Sequence, residues 1–471
     1  MSGVFGAVSK KNCSSVLFYG VDYHSHLGTE YGGMAVLGES FDRQIHNISQ
    51  TQFKSKFYDD HKRMEGPYGI GVISDSDEQP VYLNSRLGPF CLVTSGLVEN
   101  KNELKQRLFD RGLSFSEVSH GGVNVTELVG KLITQGDDIV DGIEKMFSQI
   151  EGSCSLLLLN KDGIYAARDR FGYTPLVIGN KGEEWAVSAE SNALPNLGFK
   201  IVKFLKPGEI VLLNKQGMDI KRKGTDSSQI CSFLWVYTGF PASVYEGVNV
   251  ELSRERSGRA LAKHDQDIDV DLVAGVPDSG TAHAIGYAME CGKPYRRPLV
   301  KYTPGYGRSY TPPSQETRNL IATMKLIPIR EIIKGNKIVV CDDSIVRGTQ
   351  LKNFTVNKLW DAGAKEIHVR LACPPLMFPC KFCLSTRSVD ELAARKAIRA
   401  LEGKDIEDVS EYLDPDSEKY KRMVQYIEKD LDVTTLRYQR IDDMVEAIGL
   451  PREKLCLYCW NGQCPGKTKC A

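Results

Sequence analysis

The sequence predicts two folded halves of different class: a layered α+β domain over residues 1–228 and an α/β domain with a parallel sheet over 229–471. Three observations carry this. At 471 residues the chain is longer than one hydrophobic core usually serves. Its first half strings together short apolar runs broken by Gly, Asn and Asp, with helical patterns between them. Its second half alternates β-branched runs with helical patterns, the signature of βαβ units.

In the first half, "GPYGIGVISDSD", "QPVYLNSRLGPFCLVTSG", "CSLLLLNKDGIYAARD" and "EEWAVSAES" read as strands and their turns. "NKNELKQRLFDRG" and "NVTELVGKLITQG" place apolar residues three and four apart and stop at Gly, which predicts helices. "GMDIKRKGTDSSQICSF" has the Gly, Ser and charge content of a connector, setting the boundary near residue 228. In the second half, "DVDLVAGVPDSGTAHAIGYAMECG", "KPYRRPLVKYTPGYGR" and "NKIVVCDDSIVRGTQLKNFTVNKLWDAG" followed by "AKEIHVRLACPP" supply the strand and helix alternation.

Composition narrows the function. Forty-one percent apolar against twenty-five percent charged residues is ordinary globular composition. Sixty basic and sixty acidic residues cancel, so nothing in the overall balance favours nucleic acid or a membrane surface as a partner. No apolar run of about 18 residues and no signal-peptide pattern occurs, which leads us to expect a cytoplasmic protein. Thirteen cysteines are many for a compartment that disfavours disulfides, so their positions matter more than their number.

Two stretches carry chemistry. In "KIVVCDDSIVRGTQ" an apolar strand ends in Asp342 and Asp343, and a loop through Ser344, Arg347, Gly348 and Thr349 enters a helix. Small residues there leave backbone N–H groups for a phosphate at the helix start. The two carboxylates suit ribose hydroxyls and Mg²⁺, so the pattern asks for a sugar phosphate. One βαβ unit earlier, "AGVPDSGTAHAIGYA" turns from strand to helix through Pro277, Asp278, Ser279, Gly280 and Thr281, a run that also makes an ordinary β-turn. Between them, "KYTPGYGRSYTPPSQETRNLIATMKL" is rich in Gly and Pro and carries Lys301, Arg308, Arg318 and Lys325, the basic residues a leaving pyrophosphate needs. Its composition suits a lid that closes over substrate, and equally a surface loop.

The first stretch resembles the phosphoribosyl-pyrophosphate signature of type I phosphoribosyltransferases, and the second resembles their pyrophosphate loop. With "SGVFGAV", "ARDRFGYTPLVIG", "AVSAES" and "LKPGEIVLL", the chain resembles the amidophosphoribosyltransferase family over nearly its whole length. That resemblance implies an amino-terminal-nucleophile (Ntn) glutaminase domain of αββα layering, joined to a type I phosphoribosyltransferase domain that forms 5-phosphoribosylamine. It implies Mg²⁺ held by Ser279, Asp342 and Asp343. It further implies purine nucleotides as inhibitors and a homodimer or homotetramer. Some members carry a [4Fe–4S] cluster, whose ligands fall here on Cys231, Cys380, Cys456 and Cys459. Thiolates at such spacing also suit Zn²⁺, and Cys383, Cys464 and Cys470 are nearby substitutes.

The family's catalytic residue is an amino-terminal Cys, and here that position holds Ser2, whose hydroxyl is far harder to ionise. The family's His-Asn-Gly-Asn oxyanion segment corresponds to Thr94-Ser95-Gly96, and one lost oxyanion donor costs about 10²–10³ in rate. The strand "GPYGIGVISDS" lacks the arginine that grips the glutamine carboxylate. Val125 stands before Thr126-Glu127 where an aspartate belongs, and the His-Arg-Gly segment has become His26-Leu27-Gly28. These departures point to a glutaminase fold without glutaminase chemistry, with ammonia supplied from solution or by a partner. Two rival readings remain: a Ser2-dependent amidohydrolase, and a non-catalytic sensor of nucleotides or phosphoribosyl pyrophosphate. Cys13 as a substitute nucleophile lacks the context of the family's opening strand.

Overall fold

The computed structural model describes residues 2–119, 122–302, 326–383 and 388–463. The chain divides into two compact units: Met1–Cys231 with Ser243–Glu246 and Lys381–Ser385, and Ser232–Ala242 with Gly247–Cys380 and Thr386–Ala471.

The first unit is built on two antiparallel sheets. One contains β1 (Gly3–Val8), β2 (Tyr31–Leu37), β3 (Phe41–Asn47), β4 (Tyr68–Ser74), β9 (Val177–Lys181), β10 (Glu184–Ser188) and β11 (Lys200–Phe204), in the order β11-β9-β10-β1-β4-β2-β3. The other contains β5 (Val81–Ser85), β6 (Gly88–Ser95), β7 (Ser155–Asn160), β8 (Gly163–Ala167), β12 (Ile210–Asn214) and β13 (Gly217–Arg222), in the order β13-β12-β8-β7-β6-β5. Val4, Val8, Ile70 and Val72 of the first pack on Val93, Leu157, Leu159 and Ile164 of the second. Alternation of side chains gives each sheet a second face. Phe5 and Val36 bury against Leu17 and Phe18 of α1 (Ser14–Asp22). Leu92, Leu156 and Leu158 bury against α2 (Lys101–Asp110), α3 (Val125–Ile133) and α4 (Ile139–Gln149). The layering is α-β-β-α.

One segment departs from the sequence reading. Gly217–Arg222 opens the stretch read as a connector, yet it is strand β13 at a sheet edge. Its Asp219 and Lys221 disguised it, because an edge strand tolerates exposed charge.

In the second unit, β14 (Leu272–Gly275), β15 (Lys337–Asp342), β16 (Glu366–Leu371) and β17 (Thr435–Tyr438) form a parallel sheet in that order. Ile338 and Val340 point to one face, against α7 (Ala393–Glu402) and α8 (Glu418–Leu431). Val339 and Cys341 point to the other, against α5 (Val250–Lys263) and α6 (Thr281–Cys291). Near-continuous apolar strands follow from burial on both faces. A Cβ on Gly258 of α5 would stand 1.9 Å from the His283 carbonyl oxygen, so only glycine lets α5 and α6 pack this closely.

Candidate functional site

Parallel strands end together, and their carboxyl ends form the usual ligand crevice of an α/β unit. Here β15 ends at Asp342, with Asp343 the next residue. Both carboxylates are buried at 8 % exposure. Ser279 Oγ donates to Asp342 Oδ1 at 2.8 Å, which brings the turn after β14 onto the acid pair. Ser344 Oγ donates to Asp343 Oδ2 at 2.5 Å. Burial, and then the charge of Asp343, pushes the Asp342 carboxyl well above its ordinary range, and burial raises Asp343 as well. Two desolvated acids held side by side are costly unless a cation or hydrogen-bond donors meet them. They and Ser279 present hard oxygen donors of the kind Mg²⁺ takes.

The two turns are positioned tightly. A Cβ on Gly280 would stand 2.0 Å from the Cys341 carbonyl oxygen, so a glycine is required where the turn crosses β15. The Pro277–Asp278 peptide is cis, and Lys301 Nζ donates to Asp278 Oδ2 at 2.8 Å. The loop after Asp343 is anchored by buried Ile345 and by the Val346 carbonyl, which accepts from Ala393 N at 2.7 Å. Gly348, at φ 81°, turns the chain into the helical run that begins at Thr349, and Arg347 pairs with Glu391 instead of closing on the acids. Arg308, Arg318 and Lys325, together with Cys464 and Cys470, lie outside the described residues. Two concavities of 310 and 850 Å³ in this unit are lined by neither the acid pair nor Ser279.

In the first unit the side chains that hydrogen-bond around Ser2 are buried hydroxyls. Ser2 Oγ lies 3.4 Å from Ser74 Oγ, which already accepts the amides of Ser76 and Asp77 at 3.2 Å each. Ser95 Oγ donates to the Ser2 carbonyl at 2.5 Å, and Thr94 Oγ1 meets Thr126 Oγ1 at 2.8 Å. Ser74 stands in the strand where the resemblance expects arginine. His26 pairs with buried Glu190 at 2.8 Å. Burial alone would raise Glu190; the hydrogen bonds from His26, Ser243 and Tyr245 outweigh it and leave the carboxyl below its ordinary range. Burial pushes the Cys13 thiol up to about 12, which leaves it protonated and unreactive.

The proposed cluster ligands are all buried, Cys231 in the first unit and Cys380, Cys456 and Cys459 in the second. The Cys459 carbonyl accepts from Met377 N at 2.9 Å and Phe378 N at 3.1 Å, drawing those two segments together. Among the described residues, however, no three His, Cys, Asp or Glu side chains gather into a group that could hold a metal ion.

Sequence reasoning missed a buried network behind the sheet. Asp265 takes Arg370 at Nη2–Oδ1 2.9 Å and also at Nε, the Tyr287 hydroxyl at 2.7 Å, and Arg437, which reaches on to Asp267. Arg370 and Asp265 side chains are both fully buried. No local pattern marks them, since Asp265 and Arg370 are 105 residues apart.

Residues 61–196 match the family model described as a glutamine amidotransferase domain. Amidophosphoribosyltransferase from Mycobacterium tuberculosis is 30% identical over 478 residues, covering 98% of this chain and 86% of the relative. The enzyme of that name from Methanocaldococcus jannaschii is 30% identical over 494 residues, covering 99% and 98%. The solved glutamine phosphoribosylpyrophosphate amidotransferase of Bacillus subtilis, in complex with ADP and GMP, superposes with TM-score 0.84 at 28% identity, covering 98% of this chain and 97% of that one. With both layered units in place and similarity running the length of the chain, this protein belongs to the amidophosphoribosyltransferase family.

Proposed function

We propose that the protein forms 5-phosphoribosylamine by displacing pyrophosphate from C1 of phosphoribosyl pyrophosphate with ammonia. The C1–N bond forms as the C1–O bond breaks. Pyrophosphate leaves with the electron pair, and the new ammonium loses a proton to solvent. The observation that carries this is the buried Asp342–Asp343 pair, contacted by Ser279 and followed by a small-residue turn into a helix. Asp342 and Asp343 accept the ribose hydroxyls, and backbone N–H groups from Ser344 to Thr349 hold the 5-phosphate. Pro277 to Thr281 hold the pyrophosphate, with Lys301, Arg308 and Lys325 as cations over it. Mg²⁺ bound at Ser279, Asp342 and Asp343 supplies charge neutralisation of the leaving group.

In this reading the amino-terminal pocket no longer hydrolyses glutamine, and ammonia arrives from solution or from a separate partner. What supports it is chemical. Ser2 Oγ is a hydroxyl in place of a thiol, and the side chains hydrogen-bonded around it, Ser74 and Ser95, are hydroxyls rather than the arginine and asparagine the resemblance expects. The cysteines Cys231, Cys380, Cys456 and Cys459 carry a [4Fe–4S] cluster, or Zn²⁺, in the same reading. Burial of all four supports it, iron and acid-labile sulfide content tests it, and no catalytic step depends on it. Purine nucleotides are the inhibitors to test, because the Bacillus subtilis relative was solved with ADP and GMP. A homodimer or homotetramer in the cytoplasm completes the proposal. The test is pyrophosphate release from phosphoribosyl pyrophosphate with Mg²⁺ and ammonium, using anaerobically prepared protein. Release that Asp342→Asn abolishes supports the reading, and no release sinks it in favour of a sensor.

A further inference from the structure

Two histidines, one in each unit, are 0 % and 1 % exposed, and their partners differ in kind. His24 Nδ1 faces the Gly20 carbonyl at 2.8 Å, while its Nε2 receives Glu190 N and lies 3.2 Å from Ser188 Oγ. One neutral tautomer, with the proton on Nδ1, donates to the Gly20 carbonyl and accepts the Glu190 amide. His283, in the first turn of α6, faces two carbonyl oxygens: Arg254 O at 3.1 Å from Nδ1 and Val236 O at 3.3 Å from Nε2. Carbonyls only accept, and a neutral imidazole has one N–H to offer. The geometry is that of an imidazolium, whereas burial and then the Arg254 charge hold the ring neutral, its pKa down at about 3.

The charged surroundings of this ring are few. From α5 comes Arg254, whose guanidinium donates to the carbonyls of Trp235, Tyr237 and Gly239, with Glu251 and Glu255 on the same helix. The Leu234–Thr238 segment brings Tyr237 and no charge, and β14 brings none. β15 ends in Asp342 and Asp343, and the first turn of α6 has no acidic residue. The Ser279 turn leads directly into α6. Phosphate oxygens bound on that turn would add negative charge at the start of the helix that carries His283, and whatever part of it Mg²⁺ and Lys301 leave unneutralised opposes Arg254.

Resting on the donor-binding reading above, we infer that His283 is a positioning residue that takes up a proton when the pyrophosphate end of the donor occupies residues 277–281. Both carbonyl contacts are then donated, and α5, α6 and the Leu234–Thr238 segment lock together behind the bound donor. The test is calorimetric titration of the full chain with magnesium phosphoribosyl pyrophosphate at mildly acidic pH, in buffers of different ionisation heat. Wild type is expected to take up as much as about one proton per site more than His283→Gln, with its affinity advantage growing as pH falls. Binding with equal uptake by both overturns the inference and leaves the donor site standing. Absence of binding by wild type sinks the donor reading, and this inference with it. Should His283→Gln fail to fold, ¹⁵N-histidine spectra of the bound wild type decide. Two protonated nitrogens on one ring support the proposal, and a neutral ring at His283 overturns it.

Discussion

The pocket around Ser2 and the crevice at Asp342 belong to one chain, yet they treat charge in opposite ways. Around Ser2, hydroxyls answer hydroxyls and amides, and His24 is satisfied in its neutral form. At the end of β15 two carboxylates are desolvated side by side, and in the first turn of α6 a buried histidine faces two acceptors. Hydroxyls that meet one another carry no comparable desolvation cost. A site that holds buried charge at a cost keeps it for a partner that arrives later.

The largest expected effect separates the two sites directly. Asp342→Asn should lower ammonia-driven pyrophosphate release by about 10²–10³-fold, the scale of losing a key electrostatic contact at a reacting centre. Ser2→Ala should leave that rate within about twofold. Equal losses from both would erase the contrast.

Next comes the buried network supporting the crevice. Asp265→Asn leaves Arg370 without its carboxylate in a fully buried position. Loss of one partner of such a pair costs about 3–5 kcal/mol, which urea melting should register as a lower midpoint. A shift under about 1 kcal/mol would mean that the network is not what holds β16 and β17 to α5 and α6.

Acid sharpens the comparison on the other side. The folded pKa of His24 sits at about 4, below the ordinary 6.5, because burial disfavours its charged form. Its contribution is fully present above 6.5 and is lost as pH falls toward 4, up to about 3 kcal/mol. Chemical melts of wild type between neutral pH and pH 4 should show the decline, and His24→Asn should flatten it. His283 titrates in the same direction in the free protein, so ligand-free material is the sample to use.

Smallest of all should be the effect of Ser2→Cys. A thiol restores the nucleophile but not the missing donors and charges, so glutamate release from glutamine should stay at background. Robust glutaminase activity in that single variant would show that the pocket is intact and only its nucleophile altered.

The acid pair and its loop were legible in the sequence because the chemistry is carried by consecutive residues that a strand end and a helix start bring together. The same holds for the helices, whose apolar spacing is local. His283 and Arg254 escaped notice because they lie 29 residues apart, on helices that meet through Gly258, and the role of Ser74 needed the backbone turn it caps. Gly217–Arg222 was misread as connector because charge on an edge strand carries the same letters as charge in a loop. The cysteine reading rests on resemblance in residue and context, and among the described residues no three His, Cys, Asp or Glu side chains gather into a group that could hold a metal ion.

The central claim is that this chain uses ammonia and has lost its own source of it. It is met most directly by supplying glutamine without ammonium, together with phosphoribosyl pyrophosphate and Mg²⁺, and following pyrophosphate and glutamate together against an ammonium arm. The account predicts pyrophosphate in the ammonium arm and neither product with glutamine; stoichiometric glutamate and pyrophosphate from glutamine would contradict it.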